Sequence, residues 1–385
     1  MELGEVLVSI PKAWAIAVPS HSDVPGSKSK VAEALLASDL DPQQKLALLL
    51  LHEISRCNAS PFSLYCAGLP KSLSDLPFFF GDEQLELLWG TGVDSVVRGG
   101  HLASPAGVSA MAEVARRHPE MWPTCTDEAI QYAAAAVASR AFDSDATEVC
   151  LLPIADMFNH FGASPHTRMR ETESAYVLRL ERPVTAGEQV FMTYGNLPNF
   201  QLFINGAFVE SDNPFDAVEV SCQEAIAAGP SDEIADDRIE DLLASGVLDP
   251  GRTWLVSRTD LLPDGLATVL AVLGSPQQAY QEWVDGGKGV VDLAADVAPG
   301  TREAVYLGVL RLVTLLRARL RGRKRNRAEF EAEDVGGAAG ALAATVRRLR
   351  DGMLAVIATL EEQVLDAMSD DSSEDAEADR SNGSA

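Results

Sequence analysis

Asp156, Asn159 and His160 crowd into one stretch, Asp156-Met157-Phe158-Asn159-His160, and a tyrosine-glycine pair, Tyr194-Gly195, follows with Asn199 just beyond. Side chains of these types can orient a reacting group through hydrogen bonds. They do not make a metal cage: His160 and His166 read as unrelated, and no metal is expected. A serine hydrolase is not supported, since no Gly-x-Ser-x-Gly elbow is present. Tyr194 is not a strong base, because an unperturbed tyrosine titrates near ~10. Taken singly, each residue also has a plainer reading. Asp156 could be the cap of an Asx turn, and Asn159-His160 a capped turn with a half-buried histidine. Tyr194 could be an edge-strand tyrosine, and Arg140 a surface arginine at a helix end.

The elements that must position these residues are short. The apolar run Val149 to Ile154 is too brief for a free-standing helix and predicts a buried strand leading into a polar turn. A second, weaker strand is expected over Gln189 to Thr193. Tyr176 to Leu180 alternates and is β-prone, and Thr185-Ala186-Gly187-Glu188 reads as a turn. Polar groups thus gather at strand ends, a common way to set a site on a rigid scaffold. Gly4 to Pro11 predicts a turn followed by a strand. Lys28 to Cys57 reads as helix, with a start at Asp41-Pro42 and an apolar face of Leu46, Leu49, Leu50 and Ile54. Two further helices are expected over Ala106 to Pro119 and Thr126 to Phe142, the second capped by Thr126. Ala- and Leu-rich helical patterns take over after Asp212, ending in a long amphipathic helix over Ala338 to Met368.

With 385 residues, 46% of them hydrophobic, the chain is long enough for about two domains. No apolar run is long enough for a transmembrane helix, and no signal peptide is read at the start. The five cysteines are scattered without a Cys-x-x-Cys, which argues against structural zinc and suits a reducing compartment. The 57 acids against 31 Lys and Arg, a net charge of -26, oppose nucleic-acid binding and tolerate a basic protein partner. Ser369 to Ala385 is acidic and serine-rich and is expected to be disordered. The Arg317 to Arg327 run reads as a solvated helix end or as a contact for an acidic partner.

Pro153, Asp156, Asn159, His160, Ala186 to Gln189, Tyr194, Gly195, Asn199 and Phe208 together resemble a pattern of the SET-domain protein methyltransferases. The likeness is to the branch of the Rubisco large-subunit lysine methyltransferases and the actin histidine methyltransferase. It implies an α+β fold: a SET-type β-fold over residues 1–212, with a helical insertion over about 28–138, and an all-α substrate-binding domain over 213–368. It implies methyl transfer from S-adenosyl-L-methionine to a lysine or, as the lesser expectation, a histidine of a protein. Tyr194 would then be the catalytic tyrosine. Arg140, Asn159 and His160 would bind the cofactor, and Asp156, Phe142 and Gly206 would face the substrate. The implied partner is a protein substrate, without nucleic acid or membrane. A monomer of the cytoplasm, nucleus or plastid is expected.

Two departures from the family pattern motivate an alternative, a catalytically inactive SET-like protein-binding module. The opening hairpin, whose Gly-x-Gly-like turn helps to hold the cofactor in the family, is not read before Gly4: either the sequence starts late or part of the cofactor site has been lost. Asn205-Gly206-Ala207-Phe208 also lacks the tyrosine that in lysine-directed members commonly precedes the closing Gly-Phe, so one of two channel-lining tyrosines is missing.

Overall fold

The computed structural model describes residues 1–18, 29–99, 102–145, 147–230, 235–285, 299–321 and 338–382. The chain divides into two compact units, one of Met1–Leu88 and Gly92–Asn213, the other of Trp89–Thr91 and Pro214–Ala385. No helix among the described residues is long and apolar enough to cross a membrane.

The first unit holds two small sheets. Strands β1 (Val6–Pro11), β2 (Ile16–Ala17), β3 (Ala141–Ser144), β4 (Glu148–Leu151), β5 (Asn159–His160), β6 (Thr167–Glu171), β7 (Ala175–Leu180) and β8 (Phe191–Met192) supply them. One sheet has the order β1-β7-β6-β8-β5 and the other β2-β4-β3. The alternation of Tyr176, Leu178 and Leu180 is realised as the buried face of β7, in a core shared with Ile10, Cys150 and Leu152. The second strand is shorter than its apolar run, because only Phe191 and Met192 find partners, parallel to Asn159 and His160. That pairing sets β5 beside the start of the Tyr194 loop. The turn at Thr185–Glu188 forms as expected, with Gly187 at φ +88°.

Between β2 and β3 the unit is helical: α1 (Lys30–Leu36), α2 (Pro42–Ser55), α3 (Ser63–Gly68), α4 (Asp82–Leu87), α5 (Val93–Gly99), α6 (Pro105–Arg117) and α7 (Asp127–Arg140). The predicted helix over Lys28 to Cys57 is two helices, because Asp41 starts a new one. Its carboxylate accepts the Gln44 N–H at 2.9 Å, and the Gln44 side chain accepts the Asp41 N–H at 3.1 Å. Helices α2 and α7 pack on each other, and Leu46, Leu48 and Leu50 of the first and Ala133 to Val137 of the second are buried. Thr126 caps α7. That helix ends at Arg140 rather than Phe142, because Ala141 turns extended and pairs with Leu151 in β3. A last helix, α8 (Asn199–Gly206), follows the Tyr194 loop.

The second unit is mainly helical: α9 (Cys222–Ala228), α10 (Ala235–Ala244), α11 (Asp264–Gly274), α12 (Gln277–Asp285), α13 (Pro299–Leu320) and α14 (Ala338–Asn382). It adds an antiparallel pair, β9 (Ala217–Ser221) and β10 (Thr253–Ser257), that its Ala- and Leu-rich sequence does not announce. On α14, Val346, Leu349, Met353, Val356, Leu360 and Val364 are buried at helical spacing. The helix continues past Ser369, where disorder is expected, to Asn382; no Gly or Pro interrupts it before Gly383. In the basic run, Arg317 pairs with Glu361 at 2.6 Å and Arg319 with Glu224 at 2.8 Å. Residues 322–327 of that run lie outside the described residues.

Arg238 of α10 is 1% exposed. Its guanidinium donates to the Leu273 and Ser275 carbonyls at the end of α11 and sits 5.2 Å from the Tyr280 ring centre. A cation there satisfies helix-end carbonyls and complements the helix dipole. Arg238→Met is expected to leave those carbonyls unpaired and to cost about 3 kcal/mol, read as a lower midpoint in urea denaturation.

Candidate active site

Tyr194 follows β8 and stands against β5. Its backbone N–H donates to His160 Nδ1 at 2.9 Å, and its phenol donates to the Phe158 carbonyl at 2.7 Å. The Tyr194 and His160 rings lie 5.0 Å apart. Tyr194 remains 40% exposed, so an approaching group can meet it. Burial pushes its phenol above the ordinary range, while Arg140 pulls the other way and Asp156 adds to the rise. The hydroxyl therefore stays protonated at neutral pH and acts as a positioned donor and acceptor rather than a base.

His160 is 1% exposed at its side chain, and its Nε2 lies 3.4 Å from the Glu210 carboxylate. Burial lowers its pKa from the ordinary 6.5, with Glu210 opposing. Glu210 is held in turn. Its carboxylate accepts the N–H groups of Gly162, at 3.0 Å, and Ala163, at 3.4 Å. Its main chain is clamped by buried Asn199, which accepts the Glu210 N–H at 2.7 Å and donates to its carbonyl at 3.1 Å.

The other half of the site is the turn after β4. Ile154 takes φ +76°, costly for a β-branched residue. The 3-10 turn Ala155–Met157 then points Asp156 inward and leaves Ile154 and Met157 exposed. Asp156 accepts the Tyr65 hydroxyl at 2.9 Å and Arg140 Nη1 at 3.2 Å. Burial pushes this carboxyl above the usual carboxylate range, against the pull of Tyr65 and Arg140. The Tyr65 phenol is pushed far up, by burial and by the Asp156 charge. Asp156 Oδ1 and Arg140 Nε are buried and find no hydrogen-bond partner among the described residues.

No family profile matches the chain. It is 26% identical over 305 residues to the N-lysine methyltransferase SETD6 of Rattus norvegicus, and 27% identical over 305 residues to that of Mus musculus. Each match covers 73% of this chain and 63% of the relative, so the chain spans less than two thirds of their length. Among solved structures, Rubisco LSMT bound to AdoMet superposes with a TM-score of 0.69 at 19% identity, over 95% of this chain and 83% of that one. The SET domain of LSMT bound to lysine and AdoHcy gives 0.70 at 18%, over 96% and 84%. The fold is that of the Rubisco LSMT SET-domain structures. The resemblance carried by Asn159-His160 and Tyr194-Gly195 is therefore borne out.

Within this SET fold, Arg140 is bonded to Asp156 and His160 to Tyr194, and the charges of Arg140 and Asp156 act on the Tyr194 phenol. Asn159 stands beside them with an exposed side chain. Phe142 lies apart from that network and packs against the core of Ile10, Cys150 and Tyr176. Gly206 ends α8, where a Cβ would come within 2.5 Å of the Phe208 ring. That ring lies 6.0 Å from His160 and 6.4 Å from Tyr194. A tyrosine at 206 could not stand while Phe208 keeps this place, which is a steric reason for the departure in sequence. His166 is a separate matter: it bonds Glu188 at 2.9 Å and accepts the Phe191 N–H at 3.0 Å, pinning the turn between β7 and β8.

Tyr65 and Glu210 are partners that sequence reasoning missed. Tyr65 carries no local signal, lying on a short helix far from Asp156 in the chain. Glu210 follows Phe208 closely, and an acid so near the matched phenylalanine was the available hint. Tyr65→Phe is expected to leave the buried Asp156 short of a donor and to cost about 1–2 kcal/mol, measured by chemical denaturation at neutral pH.

Proposed function

We propose that the chain is a protein-lysine N-methyltransferase that uses S-adenosyl-L-methionine. The observation that carries the reading is the Tyr194 phenol, protonated and half-exposed, fixed at both its hydroxyl and its main chain beside two buried unpartnered polar atoms. Unpartnered buried groups are uncommon, and a ligand is one explanation for them. Arg140 Nε suits the carboxylate of the cofactor's amino-acid end. Asn159 and the main chain at His160 would hold the cofactor beside it. When bound, the cofactor supplies a methyl group on a sulfonium, so that a C–S bond breaks as a C–N bond forms.

The chain's own part is positioning, which supplies much of the rate in such a displacement. The Phe158 carbonyl and the Tyr194 hydroxyl would accept from the lysine nitrogen and orient its lone pair. Asp156 Oδ1 would face the same amine, with Gly206 on the substrate side and Phe142, packed on the core, kept out of direct contact. Burial of the amine on binding would favour loss of the ammonium proton, which the lysine must release before it can attack, against the pull of the Asp156 charge. Lysine is preferred to histidine as target because the relatives are N-lysine methyltransferases. The helical unit after Asn213 would serve to engage the protein substrate.

Calorimetric titration of S-adenosyl-L-methionine into the folded chain tests the reading, followed by transfer of labelled methyl to lysine-containing proteins. Micromolar binding and labelled lysine are expected; a folded chain that binds no cofactor would refute the reading. Tyr194→Phe should lower kcat by roughly 100-fold, as loss of one oriented catalytic hydroxyl does, and change cofactor affinity less than about twofold. Equal turnover would remove Tyr194 from its role.

A further inference from the structure

We infer that Glu210 is a positioning residue: its carboxylate selects the Nε2–H tautomer of His160, and His160 in that form fixes the main chain of Tyr194. The importance of this for turnover rests on the role given to Tyr194 above; the tautomer itself does not.

A neutral imidazole has one N–H and one lone pair. His160 Nδ1 accepts the Tyr194 N–H at 2.9 Å, so its proton must sit on Nε2. Nε2 lies 3.4 Å from Oε2 of Glu210, close enough for the carboxylate charge to act on it though not aligned as a hydrogen bond, and it makes no hydrogen bond to any other described residue. The opposite tautomer would set an N–H against the Tyr194 N–H and a lone pair against a carboxylate. Both contacts would turn repulsive, so the carboxylate and the amide enforce one proton position from the two sides of the ring. A histidine whose tautomer is set by a carboxylate on its far nitrogen is a general device for orienting what the near nitrogen touches.

Glu210 is itself over-determined. Its side chain is 7% exposed. Two main-chain N–H groups of the segment after His160 hold the carboxylate, and Asn199 holds the backbone on both polar atoms. A buried carboxylate fixed this firmly cannot swing to solvent. Tyr194 is thereby held at two points: its N–H on His160 and its hydroxyl on the Phe158 carbonyl.

Among the described residues, the titratable groups facing His160 are Glu210 across Nε2 and Tyr194 across Nδ1; the Phe208 ring beside it is uncharged. Protonating His160 would turn Nδ1 from acceptor to donor and break the bond to Tyr194. Burial places this protonation below the ordinary 6.5, and the Glu210 charge works against burial. Removing that charge should therefore move it lower still.

The test is nitrogen-15 histidine NMR on the full chain, with the His160 signals assigned by their loss in His160→Gln. Wild type is expected to show neutral His160 protonated on Nε2 at pH 7.5. In Glu210→Gln, the Nδ1–H form should appear and the titration should shift to lower pH. Where turnover is measurable, kcat should fall about 10-fold, the scale typical of removing a partner behind a functional histidine. KM and cofactor affinity should stay unchanged, and Glu210→Asp should restore part of the loss. Wild-type His160 protonated on Nδ1 would overturn the inference without any variant. So would a folded Glu210→Gln chain with unchanged tautomer and kcat. The NMR result stands or falls whether or not the chain transfers methyl groups.

Discussion

Buried carboxylates are the constraint on which the site depends. Asp156 is 2% exposed at its side chain and Glu210 7%. A charge removed from water is tolerated only where donors replace the lost hydration. Each acid therefore requires its own set of donors, and those donors come from chain segments that packing brings together. Glu210 needs the loop after His160 and Asn199 at the start of α8. Asp156 needs the end of α7 and the short helix that carries Tyr65.

The two acids do different work with the same physics. Around Glu210 the donors are mostly main-chain N–H groups, rigid and uncharged, so the carboxylate becomes a fixed reference against which His160 is set. Around Asp156 the partners are side chains, a guanidinium and a phenol, and part of the polar surface is left over. Asp156 Oδ1 and Arg140 Nε stay unpaired although buried. The half around Glu210 orients Tyr194 through His160, whereas the half around Asp156 leaves buried polar atoms over. The strain at Ile154 fits this division, since the turn that aims Asp156 inward is bought with an unfavourable backbone conformation.

Phe208 ties the closing segment to both halves. Its ring occupies the space above Gly206 and lies 6.0 Å from the His160 ring centre, tilted, and 6.4 Å from that of Tyr194, edge-on in geometry. Glycine at 206 and phenylalanine at 208 are thus one packing choice rather than two. A side chain at 206 has no room beside this ring, and the Tyr194 hydroxyl bonds the Phe158 carbonyl.

What the sequence alone determined is local. Apolar alternation specified β7, because a strand buried on one face repeats every second residue. Asp41 and Thr126 marked helix starts, because a cap needs an acceptor within three residues of the N–H groups it serves. The spacing of Asn159-His160 and Tyr194-Gly195 was enough to place the chain in its fold. Tertiary structure decided who partners whom. Tyr65 reaches Asp156 across 91 residues, and Glu210 reaches Gly162 across 48. It also ended α7 at Arg140 and drew Phe142 into β3, where pairing with Cys150 outweighs helical continuity. Propensity acts over a few residues, whereas desolvating a charge or completing a strand ladder depends on groups that packing alone brings together.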